Sequence, residues 1–145
     1  MKLIEIYTDG SCLNNPGNGG WAGILMYNGI EKCICGAERN TTNNRMELLA
    51  VIKSLQLLKE SCEVNLYSDS SYVINAFEQG WLENWKSNNW KTSAKKDVLN
   101  RDLWEALSAL TKVHKVNFKK VKGHSDNIYN NRCDEMARKE ASKLD

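Results

Sequence analysis

The chain has one proline, two histidines and two phenylalanines in 145 residues, and no aliphatic run longer than Leu48 to Ile52. Each scarcity excludes something. A membrane-crossing helix needs roughly 20 apolar residues, so none is expected. The N-terminus reads MKLIEIYTDG, where Glu5 interrupts the apolar core of a secretory signal and no small-residue cleavage site follows, so no leader is expected. Five cysteines, at 12, 33, 35, 62 and 133, form an odd set without framework spacing or a Cys-x-x-Cys pair. That argues against a disulfide scaffold, and neither His114 nor His124 stands at zinc-finger spacing. The expectation is small buried or half-buried thiols in a reducing, cytoplasmic compartment. Cys33 and Cys35, two apart, would share one face of a strand.

What is present suits one globular domain over residues 1–145, with 41% hydrophobic and 26% charged residues. The net charge of +2 is unevenly spread. Lys86 to Lys122 holds ten Lys/Arg against three Asp/Glu, a local excess of +7 that leaves −5 elsewhere. Such segregation fits a polyanion at one place and cation-binding carboxylates at another; a solvated basic face is the plainer explanation.

Residues 3–8 alternate apolar and polar, a strand pattern that Asp9-Gly10-Ser11 should end. A cluster of turn formers over 14–20 contains the only proline. Strands are predicted over 21–27 and about 30–38, joined by the hairpin signal Asn28-Gly29. A largely buried helix opens near Asn43, and a fourth strand covers 63–68. A short helix over 72–78 is capped by Ser70-Ser71 and stopped by Gly80. Trp81 and Trp85 fall on one helical face, followed by a helix over about 101–112 and a strand over 115–121. A polar loop from Lys122 to about Asn131 leads into a C-terminal helix. The order β-β-β-α-β-α-(α)-α-β-α predicts an α/β fold: an antiparallel meander extended by parallel strands. A helical crossover would make strands 1 and 4 parallel, with Asp9 and Asp69 facing each other at their carboxyl ends.

Four carboxylates stand at element boundaries, each with an ordinary explanation. Asp9 could serve a turn, Glu47 a capping box with Asn44, Asp69 a helix cap, and Asp134 a helix dipole. Together they suggest more. Two adjacent carboxylates ionise at a cost unless a cation lies between them. Hard oxygens without a supporting Cys or His set select Mg²⁺ or Mn²⁺. A pair of such ions about 3.5–4 Å apart suits in-line attack of water on phosphorus.

These residues lie in a recognisable series. Tyr7-Thr8-Asp9-Gly10-Ser11-Cys12 with Asn15-Pro16-Gly17 is followed by Thr41-Thr42-Asn43-Asn44-Arg45-Met46-Glu47 and Ser68-Asp69-Ser70. Then come Gly80-Trp81 with Trp85 and Trp90, Lys122-Gly123-His124, and Asn130-x-Arg132-Cys133-Asp134-Glu135. In order and spacing the chain resembles the type 1 ribonuclease H family (bacterial ribonuclease HI) over essentially its full length. The resemblance implies a five-stranded mixed sheet flanked by helices. It also implies hydrolysis of the RNA strand of RNA–DNA hybrids, leaving 5′-phosphate and 3′-hydroxyl ends, by a monomer with two Mg²⁺ ions per site. Asp9, Glu47, Asp69 and Asp134 match the family's metal-binding carboxylates, and His124 a loop histidine that helps protonate the leaving group or release product. Cys12, Asn15, Asn43 and Asn44 match residues lining the minor groove, where RNA shows its 2′-hydroxyls; the glycines of 14–20 would let backbone approach the duplex. Asn43 and Asn44 could also cap the helix.

Trp81, Trp85, Lys86, Trp90, Lys91, Lys95 and Lys96 match a basic protrusion that grips the DNA strand. The lysines would supply salt-dependent affinity, while the tryptophans could pack on sugars or build a local core. Glu83, Ser87, Asn88 and Asn89 dilute this segment, so weaker hybrid affinity and a shallower salt slope are expected. Asp126 beside His124 would raise its pKa or tether its loop.

Other readings compete. Gly17-x-Gly19-x-x-Ala22 formally fits a nucleotide-binding pattern, but a strand follows rather than a helix, and no Gly-Lys-Ser/Thr phosphate loop exists. A non-catalytic hybrid-binding module would not need four acids near a polyanion. An integrase- or resolvase-like nuclease would share the acids but not the Asn-rich segment or the Trp/Lys protrusion.

Overall fold

The computed structural model describes residues 1–122 and 127–144. Three long strands come first: β1 (Lys2–Cys12), β2 (Gly17–Tyr27) and β3 (Ile30–Thr41). They are followed by α1 (Asn43–Gln56), β4 (Cys62–Ser68), α2 (Ser71–Glu78), α3 (Trp81–Ser87), α4 (Arg101–Val113), β5 (Lys115–Lys120) and α5 (Ile128–Ser142). One sheet runs in the order β3-β2-β1-β4-β5. The first three strands pair antiparallel, and β4 and β5 add parallel to β1. Asn28 and Gly29 carry positive φ values of 50° and 76°, which a two-residue hairpin of right-handed twist demands.

Strand alternation distributes side chains to two faces. Ile4 and Ile6 of β1, Leu25 of β2, and Val64 and Leu66 of β4 pack under α1 with its Leu48, Val51, Ile52 and Leu55. Trp104 and Leu107 of α4 close the same core. The opposite face is covered by α5: Ala22 and Ile24 of β2 meet Cys133 and Ala137, with Tyr7 and Tyr129 packed alongside. Gly20 is what lets α5 lie so near β2, since a Cβ there would stand 2.0 Å from the Ala137 carbonyl oxygen.

Several boundaries differ from the sequence reading. The first strand does not end at Asp9 but continues to Cys12, because β2 stays paired with it through Cys12↔Gly19. The second strand opens at Gly17, and the third runs to Thr41. The glycines of 17–20 are therefore strand residues that admit neighbouring elements of the protein itself. The last helix opens at Ile128, three residues before the expected loop end, with Asn127 as its cap. Cys33 and Cys35 are exposed rather than buried, since β3 is an edge strand; both do face α5, near Arg132 and Glu140. All five cysteines are free. Among the described residues no helix is long and apolar enough to cross a membrane.

Candidate active site

Register explains how residues distant in sequence meet. Tyr7 of β1 pairs in parallel with Tyr67 of β4, and their rings stack at 4.4 Å and 11°. Asp9 and Asp69 each follow that pair by two residues, Asp69 just past the end of β4, and their carboxylates converge. The carboxylates thus sit where the parallel strands separate, beyond an aromatic stack. Glu47 reaches the same point from the second turn of α1. Its helix is capped by Thr42, whose hydroxyl accepts from the Arg45 amide at 3.2 Å. Glu47 is therefore not a capping-box residue, and Asn43 and Asn44 remain exposed rather than serving as caps. Asp69 does not cap α2 either, because Ser70 does, accepting from the Val73 amide.

One oxygen each of Asp9, Glu47 and Asp69 lies within 4.8 Å of the other two. Thr8 and Asp9 are both buried, Asp9 with 4% exposure, because the sheet is covered on both faces. The Gly10 amide donates to Asp9 Oδ1 at 2.9 Å and to Glu47 Oε1 at 2.6 Å. Burial, then the charge of Asp69, pushes Asp9 up to about 8. Burial and the charges of Asp9 and Asp69 hold Glu47 well above the usual carboxylate range. The donors are oxygens alone, at separations that one such ion can bridge with its retained waters. The residues fit a divalent cation.

Asp134, on α5, lines the same cavity of about 250 Å³, together with Ser11, Asn43, Asn44, Asn130 and Asn131. It stands outside the three-oxygen cluster, and its Oδ2 is held by Arg138, one turn on, at 2.9 Å. It lies past the first turn of α5, so it does not serve the helix dipole. The sequence reading missed two participants. Gly10, read as part of a turn, is a strand residue whose amide orients two acids, and a Cβ on it would meet the Glu47 nitrogen at 2.3 Å. Asn130 is buried at 2% exposure, and its Oδ1 has no partner among the described residues; a side-chain amide in a cavity of acids was the available signal. Nearby, the Asn15 Oδ1 accepts from the Asn43 amide at 3.3 Å, and the Cys12 thiol donates to the Asn14 carbonyl at 2.7 Å. Of these, Asn43 lines the cavity of the acids beside Asn44, whereas Cys12 and Asn15 are not among its lining residues. His124 and Asp126 lie outside the described residues.

The Trp/Lys segment forms a second feature, a groove of about 750 Å³ lined by Trp81, Trp85, Asn88, Lys91 and Lys95 among others. Of the two expectations for the tryptophans, the structure bears on the core. Trp81, Trp85 and Trp90 pack on the main core, with Trp85 edge-on to Trp104 at 5.4 Å, yet Trp81 and Trp85 also face the groove. Lys86 pairs with Glu83 at 3.3 Å and Lys91 with Asp97. Lys95 and Lys96 are exposed and make no ion pair among the described residues.

Fold and site together define an α/β protein with a cluster of acids, able to hold a divalent cation, at the carboxyl ends of parallel strands. The RNase H family model matches residues 1–142. A ribonuclease H from Acetivibrio thermocellus is 57% identical over 143 residues, covering 99% of this chain and 97% of that protein. The crystal structure of LC9-RNase H1, a type 1 RNase H with the type 2 active-site motif, superposes with a TM-score of 0.88 at 25% identity, covering 99% of this chain and 74% of that one. LC11-RNase H1, solved in complex with an RNA/DNA hybrid, shares the fold with a TM-score of 0.71 at 20% identity, covering 97% and 98% of the two chains. The chain belongs to the RNase H family.

Proposed function

We propose that this chain is an endoribonuclease that hydrolyses the RNA strand of RNA–DNA hybrids, leaving 5′-phosphate and 3′-hydroxyl ends. The observation that carries the proposal is the convergence of Asp9, Glu47 and Asp69 within 4.8 Å, in a cavity shared with Asp134. Asp9 and Asp69 are the central ligands, and Glu47 and Asp134 complete two sites for Mg²⁺, with Mn²⁺ as substitute. The bound ions supply charge neutralisation at the scissile phosphate. The chain's own groups do the rest. The Gly10 amide fixes the orientation of Asp9 and Glu47, and α1 presents Asn43 and Asn44 on the exposed side of the same cavity. With Cys12 and Asn15 they read the 2′-hydroxyls of the RNA strand. The Trp81–Lys96 segment grips the DNA strand, its free lysines contacting phosphates. His124 protonates the leaving group or aids product release.

The chain acts as a single catalytic domain and a cytoplasmic monomer, a setting consistent with five unpaired thiols. A labelled-strand assay tests the activity. RNA–DNA, RNA–RNA and DNA–DNA duplexes are presented with Mg²⁺ and with chelator. Loss of the RNA label alone, in the hybrid alone and only with metal, is the expected result; cleavage of DNA, or of RNA–RNA at equal rate, defeats the proposal.

A further inference from the structure

The four acids of the cavity are not equivalent. Three of them, from β1, α1 and the end of β4, form a cluster whose carboxylates make no ion pair with a basic side chain among the described residues, the Lys120 ammonium donating instead to the Asp69 backbone carbonyl at 2.8 Å. The fourth, Asp134, already makes such a pair. Arg138 follows it by four residues on α5, and its Nη2 lies 2.9 Å from Asp134 Oδ2. An acid placed four residues before a base is the favourable order on a helix. The Asp134 side chain is 33% exposed and that of Arg138 62%, so the pair sits at the cavity rim, where neither partner is locked by packing.

We propose that Arg138 is a positioning residue acting through Asp134: it holds that carboxylate as a neutralised pair and weakens its hold on a second divalent cation. The proposal rests on the assignment of the four acids as cation ligands. It divides them into a trio that binds one ion directly and a fourth acid that must be drawn from its guanidinium before it can bind another. An exposed pair of this kind opposes binding modestly, so removing it should strengthen the second site about two- to fivefold. The released guanidinium stands beside a cavity proposed to take a polyanion, where a phosphate is the natural alternative partner.

Calorimetric titration with MnCl₂, without nucleic acid, tests this on the wild type, Arg138→Gln, Arg138→Lys and Asp134→Asn. Arg138→Gln is expected to leave the first ion's affinity unchanged and to tighten or reveal a second. Arg138→Lys, which keeps the charge, should stay close to wild type, and Asp134→Asn should lose the second ion and keep the first. An equal second-site affinity, or an equal count of one ion, in wild type and Arg138→Gln overturns the proposal. Circular dichroism melts confirm that the exposed substitutions leave the fold intact. If wild type and Arg138→Gln both bind ions and cleave hybrids identically, only the role of Arg138 fails. If the wild type binds no divalent ion at this cavity, the assignment of the acids fails instead.

Discussion

The acidic cavity and the Trp/Lys groove face the same proposed ligand but are built by opposite means. The cavity is made by convergence. Asp9, Glu47 and Asp69 come from three elements, are held by a backbone amide and a parallel register, and Asp9 and Glu47 carry raised pKa values because burial and mutual repulsion disfavour their charge. The groove is made by one contiguous segment. Its tryptophans anchor it to the core, while Lys95 and Lys96 extend into solvent with no ion pair among the described residues. A site assembled by convergence should be intolerant of sub-ångström change, whereas a site assembled by exposed charge should respond gradually and to salt.

The sharpest contrast is expected at Asp9. Asp9→Asn should abolish Mg²⁺-dependent hybrid cleavage while a binding assay shows near-wild-type affinity, since the groove is untouched. The same substitution removes a buried charge, so it should raise the melting temperature of the metal-free protein at pH 9. A lowered melting temperature there would show that the Asp9 charge is not repelled as described.

Gly10→Ala should come next. The new Cβ would press on the Glu47 nitrogen and the Met46 carbonyl carbon, both 2.3 Å away, so α1 must shift. A loss of about 1–3 kcal/mol in stability and a drop in kcat well beyond what melting explains are expected. Wild-type kcat in this variant would mean that the Gly10 amide does not orient the acids.

Titration offers a third contrast. A carboxyl group whose pKa is raised by folding binds more protons folded than unfolded, so its favourable contribution is complete below about pH 4. It is lost as pH rises towards about 8, the position of Asp9. Chelated protein should therefore lose stability between pH 5 and 8, and the stabilising shift produced by Mg²⁺ should grow over the same range. Calorimetric melts with EDTA or Mg²⁺ measure both, and a metal shift independent of pH would contradict the assignment.

The groove should give the smallest effects. The Lys95→Ala, Lys96→Ala double variant should raise KM several-fold at moderate salt and leave kcat near wild type. Its salt slope should fall by about one for each phosphate that a lysine no longer neutralises. Unchanged KM would remove the segment from the binding surface.

Much of this architecture was legible in the sequence because local and non-local signals agreed. Alternation in 3–8 and 63–68, the Asn28-Gly29 turn and the buried face of α1 led to the observed element order and to the meeting of Asp9 with Asp69. The remainder depended on neighbours that a sequence does not display. Asp9-Gly10-Ser11 reads as a turn, yet β2 pairs along it and keeps it extended. Asn44 and Glu47 have capping-box spacing, yet Thr42 is the cap, which frees Glu47 for the cavity. Asp134 and Arg138 have the spacing of an ordinary helical ion pair; only the placement of α5 against β1 and β2 turns that spacing into an occupied fourth acid.

The central claim is that acids remote in sequence together hold a divalent cation. Anomalous diffraction from crystals soaked in Mn²⁺ tests it most directly. A peak bound by oxygens of Asp9, Glu47 and Asp69 is predicted. A cavity without such a peak, at Mn²⁺ concentrations that support cleavage, would contradict it.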